Sequence, residues 1–427
     1  MLWRKASTGV ALSVFLSLIS PIVLSAQTPS TPTPRDEKLW KKALDIQRKS
    51  IVVDTHNDVL SFMIDENYDI GLSSVGKYHT DLARMKQGGL TAEFFSVYID
   101  RKYATEGGSA RRALDMIDYT YRAVEKYPND FMMSYSVADI RRAKKQKKIA
   151  ALMGIEGGHA IEDSLMALRD FYRLGIRYIT LTHNNTNNWA DSCCDTAKHN
   201  GLSDFGKEVV LEMNRLGMLV DISHVSDKTM SDVLDISKAP VIASHSSARA
   251  LADRTRNIPD DLLRRIAKNG GVVMVNFYPG FIDQKVVIAS RERDARLKPQ
   301  TDALKAQYKD DPKKLEEETN KLLAANPLPA TPLSVLLDHF DHIRKVAGID
   351  HIGIGSDFDG IPSVPVGMED VSKLPNLTYE LLKRGYSEQD VRKILGENFL
   401  RVFGEAERVA RSMSKNISAD GSVKTIK

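Results

Sequence analysis

The chain reads as an α/β protein built on a (β/α)8 TIM-like barrel with helical additions. Three observations predict this. Eight apolar runs of strand length recur, stretches with helical periodicity separate them, and no run is followed by Gly-x-Gly-x-x-Gly. Regular strand–helix alternation points to a parallel sheet. The alternative is an open doubly wound sheet, but its dinucleotide-binding version needs the glycine fingerprint.

The runs are Ile51 to Asp54, Thr91 to Tyr98, Ile149 to Ile155, Ile176 to Thr182, Met218 to Ile222, Val241 to Ser244, Gly271 to Phe277 and His351 to Ser356. Helices are expected over Ser109 to Lys126, Ser164 to Leu174, Ser203 to Leu216, Ser226 to Ile236, Pro259 to Lys268, Leu333 to Ala347 and Ser387 to Phe403. Ser226 is a good N-cap with Asp227 in the first turn, and Pro259 opens a stretch closed by Gly270. Residues 286–333 differ in composition, being rich in Lys, Glu, Asp, Ala and Leu. They read as a helical insertion after the seventh strand, with one helix from Asp311-Pro312 to about Ala325. A plain excursion and a lid over the barrel mouth are both open readings.

Residues 1–26 have a positive start at Arg4 and Lys5, an apolar stretch from Val10 to Leu24, and a small-residue site at Leu24-Ser25-Ala26. This is the pattern of a secretory signal peptide, so an exported bacterial protein, periplasmic or extracellular, is expected. No stable membrane anchor is expected after cleavage. Residues 27–36 form a Pro/Ser/Thr-rich linker, 37–410 a single catalytic barrel domain, and 411–427 a polar tail. The net charge is +4, or +2 once Arg4 and Lys5 are removed. That balance gives no reason to expect nucleic acid. The only cysteines, Cys193 and Cys194, are adjacent and cannot staple distant parts of the fold.

The chemistry lies where the strands end. His56 and Asp58 are two apart in a strand context and so share a face. Glu156 ends the third run, His183 the fourth, His224 the fifth, His245 the sixth and Asp357 the eighth. In a parallel barrel these positions gather at the C-terminal mouth. A lone His at a strand end has a structural reading; six strands ending in His, Asp or Glu do not. Imidazole and carboxylate donors suit zinc, and one Glu among several His could bridge two ions. Two neighbouring ions can acidify a shared water and polarise a carbonyl, which is hydrolytic chemistry. Asp357 could shuttle the proton. Asn57 should point away from the metals and has no role in this reading.

Several motifs carry a resemblance. They are Asp54-Thr55-His56-Asn57-Asp58, Gly154-Ile155-Glu156-Gly157-Gly158, Leu181-Thr182-His183-Asn184 with Trp189-Ala190-Asp191, Ile222-Ser223-His224, Ser244-His245-Ser246-Ser247, Arg256-Asn257-Ile258-Pro259-Asp260 and Asp357-Phe358-Asp359-Gly360. From about Ile51 to Phe403 the chain resembles the membrane (renal) dipeptidase family of zinc metallopeptidases, in a bacterial exported form. The resemblance implies two Zn2+ per chain: His56 and Asp58 on one, His224 and His245 on the other, and Glu156 bridging. It implies that His183 contacts substrate near the scissile carbonyl, that Arg256 pairs with the free carboxylate of a dipeptide, and that Asp357 moves the proton between the bridging water and the leaving amine. Small dipeptides are the expected partners. The oligomeric state, a homodimer included, stays open. The chain lacks the lipid-anchor signal and structural disulfides of the animal enzymes, and the 286–333 insertion is longer than the family suggests.

Two other readings compete. Another barrel amidohydrolase, acting on a lactone or a β-lactam amide, is one; such enzymes commonly begin with His-x-His and many bridge with a modified Lys, where this chain has His-x-Asp and Glu156. A metal- or peptide-binding protein without turnover is the other, and it leaves Asp357 and His183 without a purpose.

Overall fold

In the computed structural model the described residues are 35–415, and residues 38–415 belong to one compact unit. The predicted signal peptide and most of the predicted tail lie outside the described residues. Nine strands form one parallel sheet: β1 (Val53–Asn57), β2 (Ala92–Tyr98), β3 (Phe131–Met133), β4 (Ile149–Glu156), β5 (Ile176–Thr180), β6 (Leu219–Asp221), β7 (Ile242–Ser246), β8 (Val272–Val275) and β9 (Ile352–Ile354). β1 pairs with both β2 and β9, and β2 pairs with β4, so eight strands close a barrel. All eight correspond to predicted runs. The ninth, β3, shares an edge of β4 with β5: it pairs at the start of β4, and β5 takes over from Met153.

The strands are buried along their full length but for the half-buried end of β2 and most of β3, which explains their near-continuous apolar runs. Between them the helices start where short polar caps stand. Ser203 accepts from the Gly206 N–H and opens Asp204–Leu216; Ser226 accepts from the Thr229 N–H and opens Asp227–Ile236. Gly217 and Gly270 close their helices in the left-handed conformation. The predicted helix from Ser387 is interrupted. It runs Glu388–Arg392, widens into a π turn over Lys393–Glu397, and continues as Asn398–Lys415. That last helix therefore reaches past residue 410.

One packing relation sets the barrel interior. Gly154 on β4 faces Tyr178 on β5, and a Cβ at 154 would collide with the phenol ring. The gap left by glycine lets Tyr178 cross the barrel, stacked on Phe94 with centroids 5.2 Å apart. The 286–333 region contains two helices, Gln284–Gln307 and Pro312–Ala324.

Candidate active site

Seven of the eight predicted site residues converge at the C-terminal mouth. His56 and His245 lie within β1 and β7, and Glu156 is the last residue of β4. His183, His224 and Asp357 each stand three residues beyond β5, β6 and β9. His224 and Asp357 both hold left-handed backbone, with φ of 64°. That conformation costs a non-glycine residue about 1–3 kcal/mol, and such strain clusters where side chains are aimed at chemistry.

Glu156 divides its two oxygens between two groups of imidazoles. Its Oε2 is 3.5 Å from His56 Nε2; its Oε1 is 3.0 Å from His224 Nε2 and 3.3 Å from His245 Nε2. Asp58 Oδ2 lies 3.3 Å from His56 Nε2, and Asp357 Oδ1 3.9 Å from it. His245 stands between the halves. Its ring stacks on His56 at 3.7 Å, and its Nε2 is 2.9 Å from that of His224. Three overlapping clusters could each hold a cation: His56 with Glu156 and His245, Glu156 with His183 and His224, and His56 with Asp58 and Asp357. His183 thus falls within reach of an ion, beyond its expected contact with substrate.

The shell behind the imidazoles fixes their tautomers. Tyr178 Oη donates to the Thr55 carbonyl at 3.1 Å and lies 2.8 Å from His56 Nδ1. A carbonyl only accepts, so His56 Nδ1–H donates to Tyr178. Ser244 Oγ donates to Asp221 Oδ2 at 2.6 Å and so accepts from His245 Nδ1–H at 2.7 Å. Asn184 Oδ1 takes the Nδ1–H of His224 at 3.1 Å. Each ring therefore presents a bare Nε2 lone pair to the carboxylates. The His56 Nε2 is buried and has no hydrogen-bond partner among the described residues. Converging lone pairs and acceptor-only carboxylates fit a cation.

Electrostatics agree. Burial pushes the Glu156 pKa up, but the surrounding imidazoles of His56, His183, His224 and His245 pull it well below the usual carboxylate range. Burial, aided by Arg256, keeps His224 and His245 far below the ordinary imidazole value, hence neutral and able to ligate. Burial opposes charge on His56, yet Tyr178, Glu156 and Asp58 raise it well above normal, so the pocket draws positive charge to this nitrogen. Burial, together with repulsion from Asp58 and Glu156, lifts the Asp357 carboxyl to about 8.

A cavity of about 400 Å3 opens above these groups, walled by Tyr98, His183, Asn184, Tyr278, Phe281 and Ile361 among others. No residue of 286–333 lines it. Arg256 does not line it; its guanidinium lies over the ring of Phe281, which does, 5.5 Å from the centroid. It is 3 % exposed, donates to Ser246 Oγ and the His245 carbonyl at 2.8 Å each, leaves Nε unpartnered, and has no carboxylate partner among the described residues. Burial lowers it only to about 10, so it stays charged at neutral pH.

Sequence reasoning missed Tyr178, Asn184, Asp221, Ser244 and Asn276. Asn276, just after β8, donates to Asp357 Oδ2 at 2.7 Å. Asn57 does point away from the metal candidates, and it ties β1 to its surroundings. Its Nδ2 donates to Thr80 Oγ1 at 2.9 Å and Glu93 Oε2 at 3.3 Å, and its Oδ1 accepts from the Val59 N–H. The Cys193–Cys194 pair is bonded to itself, and His159 lies on a short 3-10 turn outside the cluster.

A closed parallel barrel with this donor set at its mouth defines a barrel metallohydrolase. The chain belongs to the membrane dipeptidase family, peptidase family M19, whose model matches residues 40–417. It is similar to the probable dipeptidase PvdM from Pseudomonas aeruginosa, at 27% identity and a TM-score of 0.75, over 88% of this chain and 100% of that one. It is also similar to a metallopeptidase from Rhodobacter sphaeroides solved with a phosphinate mimic of the dipeptide L-Ala-D-Ala, at 26% identity and a TM-score of 0.68, over 84% and 100%. A further metallopeptidase of the family, dipeptidase AC, gives 27% and 0.68, over 84% and 98%.

Proposed function

We propose that this metallo-dipeptidase hydrolyses free dipeptides at a two-zinc site. The observation that carries the reading is the division of Glu156, one oxygen toward His56 and the other toward His224 and His245. When bound, two such ions supply an acidified water and an electrophile for the scissile carbonyl. His56 and Asp58 would hold one ion, His224 and His245 the other, with Glu156 shared.

The chain's own residues do the rest. His183, on the cavity wall, donates toward the oxygen that gains charge as the carbonyl becomes tetrahedral. Arg256 is a buried cation lacking an anion, and a substrate carboxylate is the anion that matches it. Asp357, held by Asn276 and ionised once bound cations offset the repulsion from Asp58 and Glu156, accepts a proton from the attacking water and delivers it to the leaving amine. A cavity of about 400 Å3 suits two residues and not a long chain. The phosphinate dipeptide mimic bound by the Rhodobacter sphaeroides relative supports the same substrate class.

A panel of free, N-acetylated and C-amidated dipeptides with a β-lactam and a lactone tests this. Free dipeptides should be the best substrates, and preference for the lactone or β-lactam would favour the other amidohydrolase reading.

A further inference from the structure

At the opposite end of the barrel, below the starts of β2 and β4, lies a cavity of about 690 Å3. Its wall carries five cationic side chains, Arg48, Lys86, Lys144, Lys147 and Lys148, and, among the described residues, no carboxylate. They come from three separate elements: the ends of the helices Glu37–Lys49, Leu82–Gln87 and Val137–Gln146, with the residues just after the last.

Two of the five are neutralised at the rim. Arg48 pairs with Asp45, which also takes Lys49, and Lys86 pairs with Asp130. Lys144, Lys147 and Lys148 have no acidic partner among the described residues. Lys144 is half-buried, and its ammonium reaches only the Arg48 carbonyl at 2.9 Å and the Thr91 hydroxyl at 3.4 Å. Burial and the neighbouring Arg48 pull its pKa below the ordinary lysine value, the mark of a cation short of a counter-ion.

Cations at helix C-termini ordinarily answer the helix dipole. Three helix ends do meet here, each worth about half a negative charge. Together they offset only part of the three unpaired lysines, so positive charge remains in the cavity. A neighbouring hollow at the same barrel end adds Arg141, Lys145 and Arg392 together with one carboxylate, Glu397; Arg141 pairs with Glu397 and Arg392 with Glu388, and Lys145 has no acidic partner among the described residues. The whole chain carries a net charge of only +4, so this end is a local concentration of charge and not a share of a basic surface.

We propose that this cavity binds a multiply charged, phosphate-bearing anion, with Lys144, Lys147 and Lys148 as its ligands and Thr91 as a hydroxyl donor. Phosphate oxygens suit point-charge lysines arrayed around a roomy polar hollow. The site is remote from the metal candidates and does not depend on the peptidase reading.

Inorganic pyrophosphate titrated calorimetrically into the metal-loaded chain is the test, beside Lys144→Gln/Lys148→Gln and the distant control Lys298→Gln. The double variant should bind at least about tenfold more weakly, the control should match the parent, and affinity should fall as salt rises. Dipeptide turnover and melting temperature should hold in all three. Should the double variant fail to fold, Lys147→Gln, on an exposed helix cap, carries the comparison. Competition by phosphatidylglycerol vesicles would assign the phosphate to a lipid headgroup; pyrophosphate binding without vesicle binding would assign it to a soluble anion. Equal pyrophosphate affinity in parent and lysine variants would place all binding elsewhere and overturn the proposal.

Discussion

Tyr178 Oη lies 2.8 Å from Nδ1 of His56, across the barrel from β5 to β1. The phenol oxygen accepts a hydrogen bond from the imidazole Nδ1–H, and its hydroxyl donates to the Thr55 carbonyl. It can reach only because Gly154 leaves room for its ring. The His56 nitrogen that faces the carboxylates is therefore set by a fully buried residue outside the cavity lining.

Tyr178→Phe keeps the ring and removes the acceptor. Metal affinity on the His56 side should drop about 10- to 100-fold. Chelator competition measures this, and two unchanged binding constants would contradict the relay.

Arg256→Lys retains the charge but not the planar fork. For a free dipeptide, kcat/KM should fall about 10- to 100-fold, mostly through KM, as expected for one charge-assisted hydrogen bond. Bound metal should stay at the parental level. The C-amidated dipeptide should be far less sensitive to the substitution. Equal losses on both substrates would show that Arg256 does not read the carboxylate.

Asp357→Asn removes the proposed proton carrier and keeps its shape beside Asn276. The expected loss in kcat is about 10²- to 10⁴-fold, with metal content preserved. Metal lost in step with activity would make Asp357 a ligand first, as its cluster with His56 and Asp58 allows.

His339 tests the scaffold. Its Nδ1 accepts from the Ala248 N–H at 3.1 Å and its Nε2 donates to the Ile282 carbonyl at 2.9 Å, so the neutral ring joins the loop after β7 to the segment after β8. Burial lowers its pKa to about 4. A depressed imidazole stabilises fully above its unfolded value near 6.5 and loses that contribution as pH falls toward 4. The loss over this window is about 3 kcal/mol. Melting curves of His339→Gln should show a shallower acid decline between those limits than the parent; parallel declines would exclude the assignment.

The barrel was legible because each strand is buried on both faces and so reads as an unbroken apolar run. β3 escaped: three residues, Phe131–Met133, carry no period. The π turn at Lys393–Glu397 escaped because a widened turn leaves helical composition unchanged. At the site, His and Asp stood out as rare residue types at strand ends. Tyr178 did not, since a tyrosine inside a strand reads as core. Ser244 and Asp221 were hidden likewise, because their function depends on partners on other strands. Arg256 was placed from family likeness; the structure adds that it is buried and lacks an acid among the described residues.

Glu156 is proposed to be shared between two ions. Metal-free chain should be titrated with zinc while bound metal and dipeptide turnover are read on the same sample. Turnover should reach its plateau at two equivalents, vanish with chelator and return with zinc, and Glu156→Gln should hold fewer than two ions. Full activity at one equivalent, or a fully loaded chain inert across the dipeptide panel, would contradict it.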